Sequence, residues 1–328
     1  MVHLTVRDAL GRSIRSSFGL IDGGKTAVIE MADASGLRLL QPGELQPLVA
    51  TSYGTGEQIK AALDKGAEKI IIGMGGSATV DGGIGILQAL GLRFLDAAGQ
   101  KLPGLPGTLA GLASVDVSWL DPRIAASEVI ILCDVDNLLL GPVGAAAMFG
   151  PQKGASPQDV RQLDAALARL SAVAAQQTGK NMDAVKYGGT AGGASAGLYA
   201  FLNARLVNGI EYFLDLTGFD ASLAKADLVI TGEGSIDEQT LQGKGPFGVA
   251  YRAKLRGLPV IGLAGKVPLE KNAALDSYFD VLKAIGHQPL DLPAAFAATR
   301  DNLVRTAMSI GNLLAISQHT GFRPDGRK

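Results

Sequence analysis

Residues Lys69 to Gly91, KIIIGMGGSATVDGGIGILQALG, constrain the fold more than any other stretch of the chain. Ile70, Ile71 and Ile72 are β-branched and apolar throughout, which reads as a buried strand. Gly73, Gly75 and Gly76 then let the backbone turn without a Cβ clash. Ser77 and Thr79 add hydroxyls, and Asp81 stands where it can cap a helix with apolar positions at Ile84, Leu87 and Leu90. A strand, a glycine-rich turn and a helix in series present free backbone N–H groups and the positive end of a helix dipole. The stretch therefore predicts an anion site for phosphate or carboxylate, with a tight structural turn as the competing reading. Its spacing fits neither GxGxxG nor GxxxxGK[ST].

The alternation continues along the chain. HLTVRD and TAVIEMA read as strands separated by the turn signal Asp22-Gly23-Gly24. Gly54 to Gly66 predicts a helix with Ile59, Ala62 and Leu63 on its apolar stripe. Gln100 to Gly111 reads as a Pro/Gly loop, and Glu128 to Val135, EVIILCDV, as a second buried strand. After the polar connection Gly141 to Pro157, a long helix runs to about Thr178, with Val160, Leu163, Leu167, Leu170 and Val173 as core. Gly188 to Gly197 is a second glycine-rich turn, leading into a helix over LYAFLNARL. Asp227 to Asp237, Leu258 to Gly265 and Phe279 to Ile285 read as strands. A last helix, about Asp291 to Ser317, precedes a polar tail, GFRPDGRK, expected to fray. Strands alternating with helices imply an α/β fold with a mostly parallel sheet, whose ligand crevice lies at the carboxyl ends of the strands. A length of 328 residues suggests two domains.

Composition excludes several classes. A net charge of −1 leaves no electrostatic footprint for nucleic acid or an anionic membrane. The start, MVHLTVRDALGRS, has no apolar leader, and no apolar run nears the roughly 18 residues of a membrane span. One cysteine, Cys133, fits a reducing compartment and reads as a core residue, so the expected location is cytoplasmic. The three histidines have no metal-ligand spacing.

Three predicted strands end in polar, glycine-flanked loops, at Gly73–Asp81, Asp134–Asn137 and Thr231–Asp237. Carboxylates at Asp81, Asp134, Asp136, Glu233 and Asp237, hydroxyls at Ser77, Thr79 and Thr231, and the lysines Lys153 and Lys244 meet the needs of phosphoryl transfer. There N–H groups and lysines hold phosphates, while carboxylates hold Mg²⁺ or accept a hydroxyl proton.

Four ordered motifs carry a resemblance: GMGGSATVDGGIGILQALG, CDVDNLLLGPVGAAAMFGPQKGAS, AGGASAGLYAFLNA and LVITGEGSIDEQTLQGKGPFGVA. Together they resemble the bacterial type 1 glycerate kinases over essentially the whole chain. The resemblance implies two α/β domains with a cleft between them, a mixed-sheet domain over residues 1–216 and a Rossmann-like domain over 217–328. It implies ATP with Mg²⁺, glycerate as acceptor and 2-phosphoglycerate as product, with a homodimer as a candidate assembly. Asp134, Glu233 and Asp237 are then the candidate catalytic groups, the last two also the candidate metal ligands. Gly75, Gly76, Ser77, Thr79, Asp81, Asn137, Lys153, Gly192, Gly193 and Lys244 are the candidates for substrate and phosphate. Family motifs of the type APDSFKESL and ADGGEGT are not present, so the Rossmann-like domain is expected to lack its N-terminal strands. Val80, Leu138 and Ser235 stand where the family has Asn, Pro and Arg. These departures carry a second expectation, a truncated or degenerate non-catalytic member that binds a small hydroxy acid or nucleotide.

Overall fold

The computed structural model describes residues 1–320, with side chains to residue 316; the tail GFRPDGRK lies outside the described residues. The chain divides into two compact units, Met1–Phe213 and the residues from Leu214 onward.

The first unit carries β1 (Val2–Arg7), β2 (Ser13–Ile21), β3 (Thr26–Glu30), β4 (Lys69–Gly73), β5 (Arg93–Leu95), β6 (Ser114–Asp116), β7 (Glu128–Cys133) and β8 (Arg205–Asn208). Six of them form one mixed sheet in the order β1-β2-β3-β4-β7-β8, and β5 pairs with β6 beside it. Short turns join β1, β2 and β3, so those pairs are antiparallel. From β3 onward longer connections bearing helices return the chain in the same direction, and β3, β4, β7 and β8 run parallel. In the middle, Ile70, Ile71 and Ile72 face Val129, Ile130 and Ile131 across one ladder. All three isoleucines are at most 1% exposed, as a strand covered on both faces requires.

The helix Pro157–Thr178 begins with a capping box between Ser156 and Asp159 and ends at Gly179 in the left-handed region. Leu163, Leu167, Leu170 and Val173 are buried, and Val160 is half-buried against the same core.

Several boundaries move from their sequence-based positions. The residue pattern alone shows two strands before Leu39, but SIRSSFGLI forms a third, β2. Its inward Ser16 interrupts the apolar alternation and is satisfied by Asp33 and Gln58. The Gln100–Gly111 loop contains a 3-10 turn at Pro106–Gly111. The helix after the second glycine turn starts earlier, at Ala194, and stops at Leu202; Asn203, at φ 61°, ends it, and Arg205 and Leu206 join β8. The last helix is two, Leu292–Ala297 with Asp291 as its cap, then Thr299–Thr320.

The second unit contains a parallel three-stranded sheet, β11-β10-β9, formed by β9 (Val229–Ser235), β10 (Val260–Lys266) and β11 (Val281–Ala284). Leu223, Ile236, Ala250, Val260 and Phe279 form its core. Among the described residues no helix is long and apolar enough to cross a membrane.

Candidate functional site

The loop after β4 departs from its predicted geometry in one respect. The helix that follows is short, Ile84–Ala89, and Gly83 rather than Asp81 is its N-cap. Asp81 is fully buried and consumes the helix's first amides itself. Its Oδ1 accepts from the Gly83 amide at 3.0 Å; its Oδ2 accepts from the Gly85 amide at 3.2 Å and from the amide and hydroxyl of Ser52 at 2.8 and 2.7 Å. The Ser52 hydroxyl oxygen also accepts from the Ile86 amide. The helix end is thus satisfied internally, with no free amides left for an external anion. Asp81 holds the loop to the helix and does not face solvent.

What stays open is the tip. Gly75 and Gly76 are exposed, and their amides have no partner among the described residues. A Cβ at Gly75 would meet nothing within 4 Å. The tip is zipped to the segment after β3 by Leu37 N–H to Gly76 O at 2.9 Å and Ala78 N–H to Ser35 O at 2.8 Å. Glu30 and Gly73, the last residues of β3 and β4, are register partners. Around this strand end lies a pocket of about 500 Å³ lined by Glu30, Ala32, Leu37, Arg38, Gly73, Gly75 and Gly76. Glu30 and Arg38 were not singled out in the sequence. Their signal lies in position: Glu30 ends the strand beside the Ile70–Ile72 strand, and Arg38 follows by eight residues. Arg38 donates to Asp33 at 2.7 Å, and Asp33 is itself held by Ser16 and Ser17, which fixes the guanidinium beside the pocket.

Ser77 and Thr79 turn the other way, into the protein, and both are buried. Lys153 meets them there. The 3-10 turn Pro151–Lys153 closes on Gly154, at φ 91°, where a Cβ would stand 2.6 Å from that of Leu45. That turn delivers the lysine inward. Its Nζ donates to Ser77 Oγ at 3.0 Å and to the Thr79 carbonyl at 2.7 Å. The side chain lies in a residue only 3% exposed, and burial pulls its pKa down to about 7, against a smaller opposing pull from Asp81. Thr79 Oγ1 is buried without a partner. The lysine expected to neutralise a phosphate is therefore internal to the loop.

The second glycine-rich turn packs on the first. Gly192 O accepts from the Gly82 amide at 3.0 Å, and a Cβ at Gly192 would lie 2.1 Å from the Thr79 carbonyl oxygen. A Cβ at Gly193 would meet Leu139 at 2.6 Å. Both residues have positive φ, so glycine is required by conformation and by space. The structure gives Gly192 and Gly193 a packing role rather than a ligand surface. Val80 is likewise 1% exposed and part of the main core, so its replacement of the family's Asn takes no group from the exposed tip.

Asp134 follows β7, the strand paired with β4, and is exposed, without a hydrogen-bond partner among the described residues. Asn137 is partly committed, its Nδ2 donating to the Val143 carbonyl at 2.8 Å. Cys133 is buried, and burial pushes its thiol up to about 12, so it is unreactive.

In the second unit, Glu233 lies on β9 and accepts from the Thr240 hydroxyl at 2.6 Å, with Lys244 Nζ 3.8 Å from its other oxygen. Asp237 caps the turn Glu238–Gln242 through the Gln239 amide at 2.9 Å. The turn thus binds Glu233 and Asp237 into one unit through Thr240, whose hydroxyl oxygen also accepts from the Asp237 amide at 3.1 Å. Glu233, Ser235 and Lys266 line a largely apolar groove of about 930 Å³. Among the described residues no three His, Cys, Asp or Glu side chains converge to hold a metal ion.

Comparison with known proteins gives a consistent result. The sequence profile described as "Glycerate kinase family" matches residues 1–315. A glycerate kinase of Haemophilus influenzae is 44% identical over 97% of this chain and 84% of its own length. A glycerate 2-kinase of Escherichia coli is 43% identical over 96% of this chain and 82% of its own length. The crystal structure of a Salmonella typhimurium protein named as a glycerate kinase 2 matches with a TM-score of 0.82 at 44% identity, covering 97% of this chain and 83% of that one.

Proposed function

The chain belongs to the glycerate kinase family and is a kinase enzyme; from that premise we propose that it transfers the γ-phosphoryl group of ATP to the 2-hydroxyl of glycerate, giving 2-phosphoglycerate. The observation that carries the choice of hydroxyl is the near full-length similarity to the E. coli protein named glycerate 2-kinase. The exposed Gly75 and Gly76 amides, with Arg38 beside them, supply an anion site for either the glycerate carboxylate or a phosphate.

Phosphoryl transfer asks for positioned charge and a proton acceptor. Asp134, a carboxylate with unused lone pairs, is the group we assign to the departing hydroxyl proton. Mg²⁺, when bound, neutralises charge on the nucleotide phosphates. Such ions commonly take one or two protein carboxylates plus phosphate oxygens, so a site without a three-residue cluster, as among the described residues, suits the carboxylates present. Glu233 and Asp237 are the residues that would hold it. Lys244, near Glu233, is placed to balance phosphate charge.

The test is coupled ADP release with D-glycerate. Asp134→Asn is expected to lower kcat by about 100-fold or more while leaving folding intact, because the side chain is exposed. Wild-type turnover no greater than that of Glu233→Ala would overturn the proposal.

A further inference from the structure

We propose that Lys153 is a positioning residue for the kinase reaction: from inside the protein it sets the conformation of the Gly75–Thr79 loop, whose exposed tip receives a substrate anion. The inference rests on the anion-site reading of that tip given above.

Three observations carry it. Lys153 donates to a side chain and a main-chain oxygen of the same loop, Ser77 Oγ at 3.0 Å and Thr79 O at 2.7 Å, so it fixes two residues that flank Ala78. Its socket is closed, with the residue 3% exposed, so its amine does not reach a ligand at the tip. Besides Lys153, the loop is tied by backbone bonds at Gly76 O and Ala78 N–H, one on either side of Ser77, while a Cβ at Gly75 would meet nothing within 4 Å. Glycines leave the backbone many conformations, and a buried donor pair selects one. The titratable groups facing this amine are few. Asp81 is the charged neighbour that acts on it, and Asp81 is already occupied by Ser52, Gly83 and Gly85.

The arrangement separates two roles that sequence alone merges. A lysine that touched phosphate would tolerate Arg and would be shielded by bound nucleotide. A lysine that sets the loop from beneath would tolerate neither Met, which cannot donate, nor Arg, whose bulkier planar guanidinium would have to displace the neighbours of a residue only 3% exposed.

The experiment uses the full chain as Lys153→Met and Lys153→Arg. Hydrogen exchange of the peptide covering the loop is measured without ligand, and KM for glycerate and for ATP is measured separately. Lys153→Met is expected to exchange faster in the loop, with the β4 and β7 amides unchanged. KM for one of the two substrates should rise by about tenfold or more, and the other by less than about twofold, because a misplaced loop weakens one subsite. Lys153→Arg should not restore wild-type values. A loop exchange rate and both KM values equal to wild type in Lys153→Met would overturn the proposal, as would full activity in Lys153→Arg. A fall in kcat alone, matching the folded fraction, would make Lys153 merely structural and also overturn it. Should Lys153→Met not fold, Ser77→Ala removes the loop-side partner while the lysine stays, and its loop exchange must rise. Inactive wild-type protein would count against the proposed function, whereas the exchange measurement would still decide the role of Lys153.

Discussion

Replacing Lys153 with Met should change how stability depends on pH, and the size of that change follows from burial. In the unfolded chain the amine has its ordinary pKa of 10.5; in the folded protein burial lowers it to about 7. Between those values the unfolded state holds one more proton at this site than the folded state. The protein therefore gains stability as pH rises through the window and loses it as pH falls toward 7. The slope approaches about 1.4 kcal/mol per pH unit, and the whole window amounts to about 4–5 kcal/mol. Lys153→Met removes that dependence. It also strands Ser77 Oγ and the Thr79 carbonyl at about 1–3 kcal/mol each, so the difference at any single pH is a sum of opposing effects. The slope is free of that ambiguity. Urea unfolding of wild type and variant, followed by fluorescence of the single tryptophan, Trp119, within the first unit, checks it. From pH 7.5 to 9.5 the wild type should gain about 2–3 kcal/mol relative to the variant. Parallel stability curves would refute the claim that this lysine is buried and mostly neutral in that range.

Gly192→Ala should destabilise the first unit by about 3 kcal/mol or more, because φ is 66° and the new Cβ would lie 2.1 Å from the Thr79 carbonyl oxygen; thermal melting measures it. Asp81→Ala leaves buried donors from Ser52, Gly83 and Gly85 unpaired, and chemical denaturation should show a loss of about 3–5 kcal/mol. Cys133 should react with a thiol reagent only at the rate of unfolding, since its thiol is buried and raised to about 12; fast labelling of the native protein would contradict this.

Much of the frame was readable from local pattern. The β-branched run Ile70–Ile72 declares a covered strand, and Ser156, Pro157 and the leucine stripe declare the long helix. Those signals lie within a few residues of one another, so local physics expresses them. The inward Ser16 of β2 did not read as strand, because its partners Asp33 and Gln58 are distant in sequence. The same reason hid the contacts these residues make. Lys153 sits in a polar, glycine-rich connection whose neighbours give no sign that its side chain turns inward to Ser77 and Thr79. Gly192 and Gly193 look like a phosphate turn, but their need for glycine comes from Thr79 and Leu139. Asp81 was legible as a cap and not as a group that closes the helix end to outside anions. Family motifs locate the loop; only tertiary packing tells which of its groups face out.

The identity of the product decides the proposed reaction. Glycerate, ATP and Mg²⁺ are incubated with the chain, and the phosphorylated acid is assigned by phosphorus NMR against both phosphoglycerate standards. The expected product is 2-phosphoglycerate, formed at a rate that falls sharply in Asp134→Asn. A 3-phosphoglycerate product, or ADP release independent of glycerate, would contradict it.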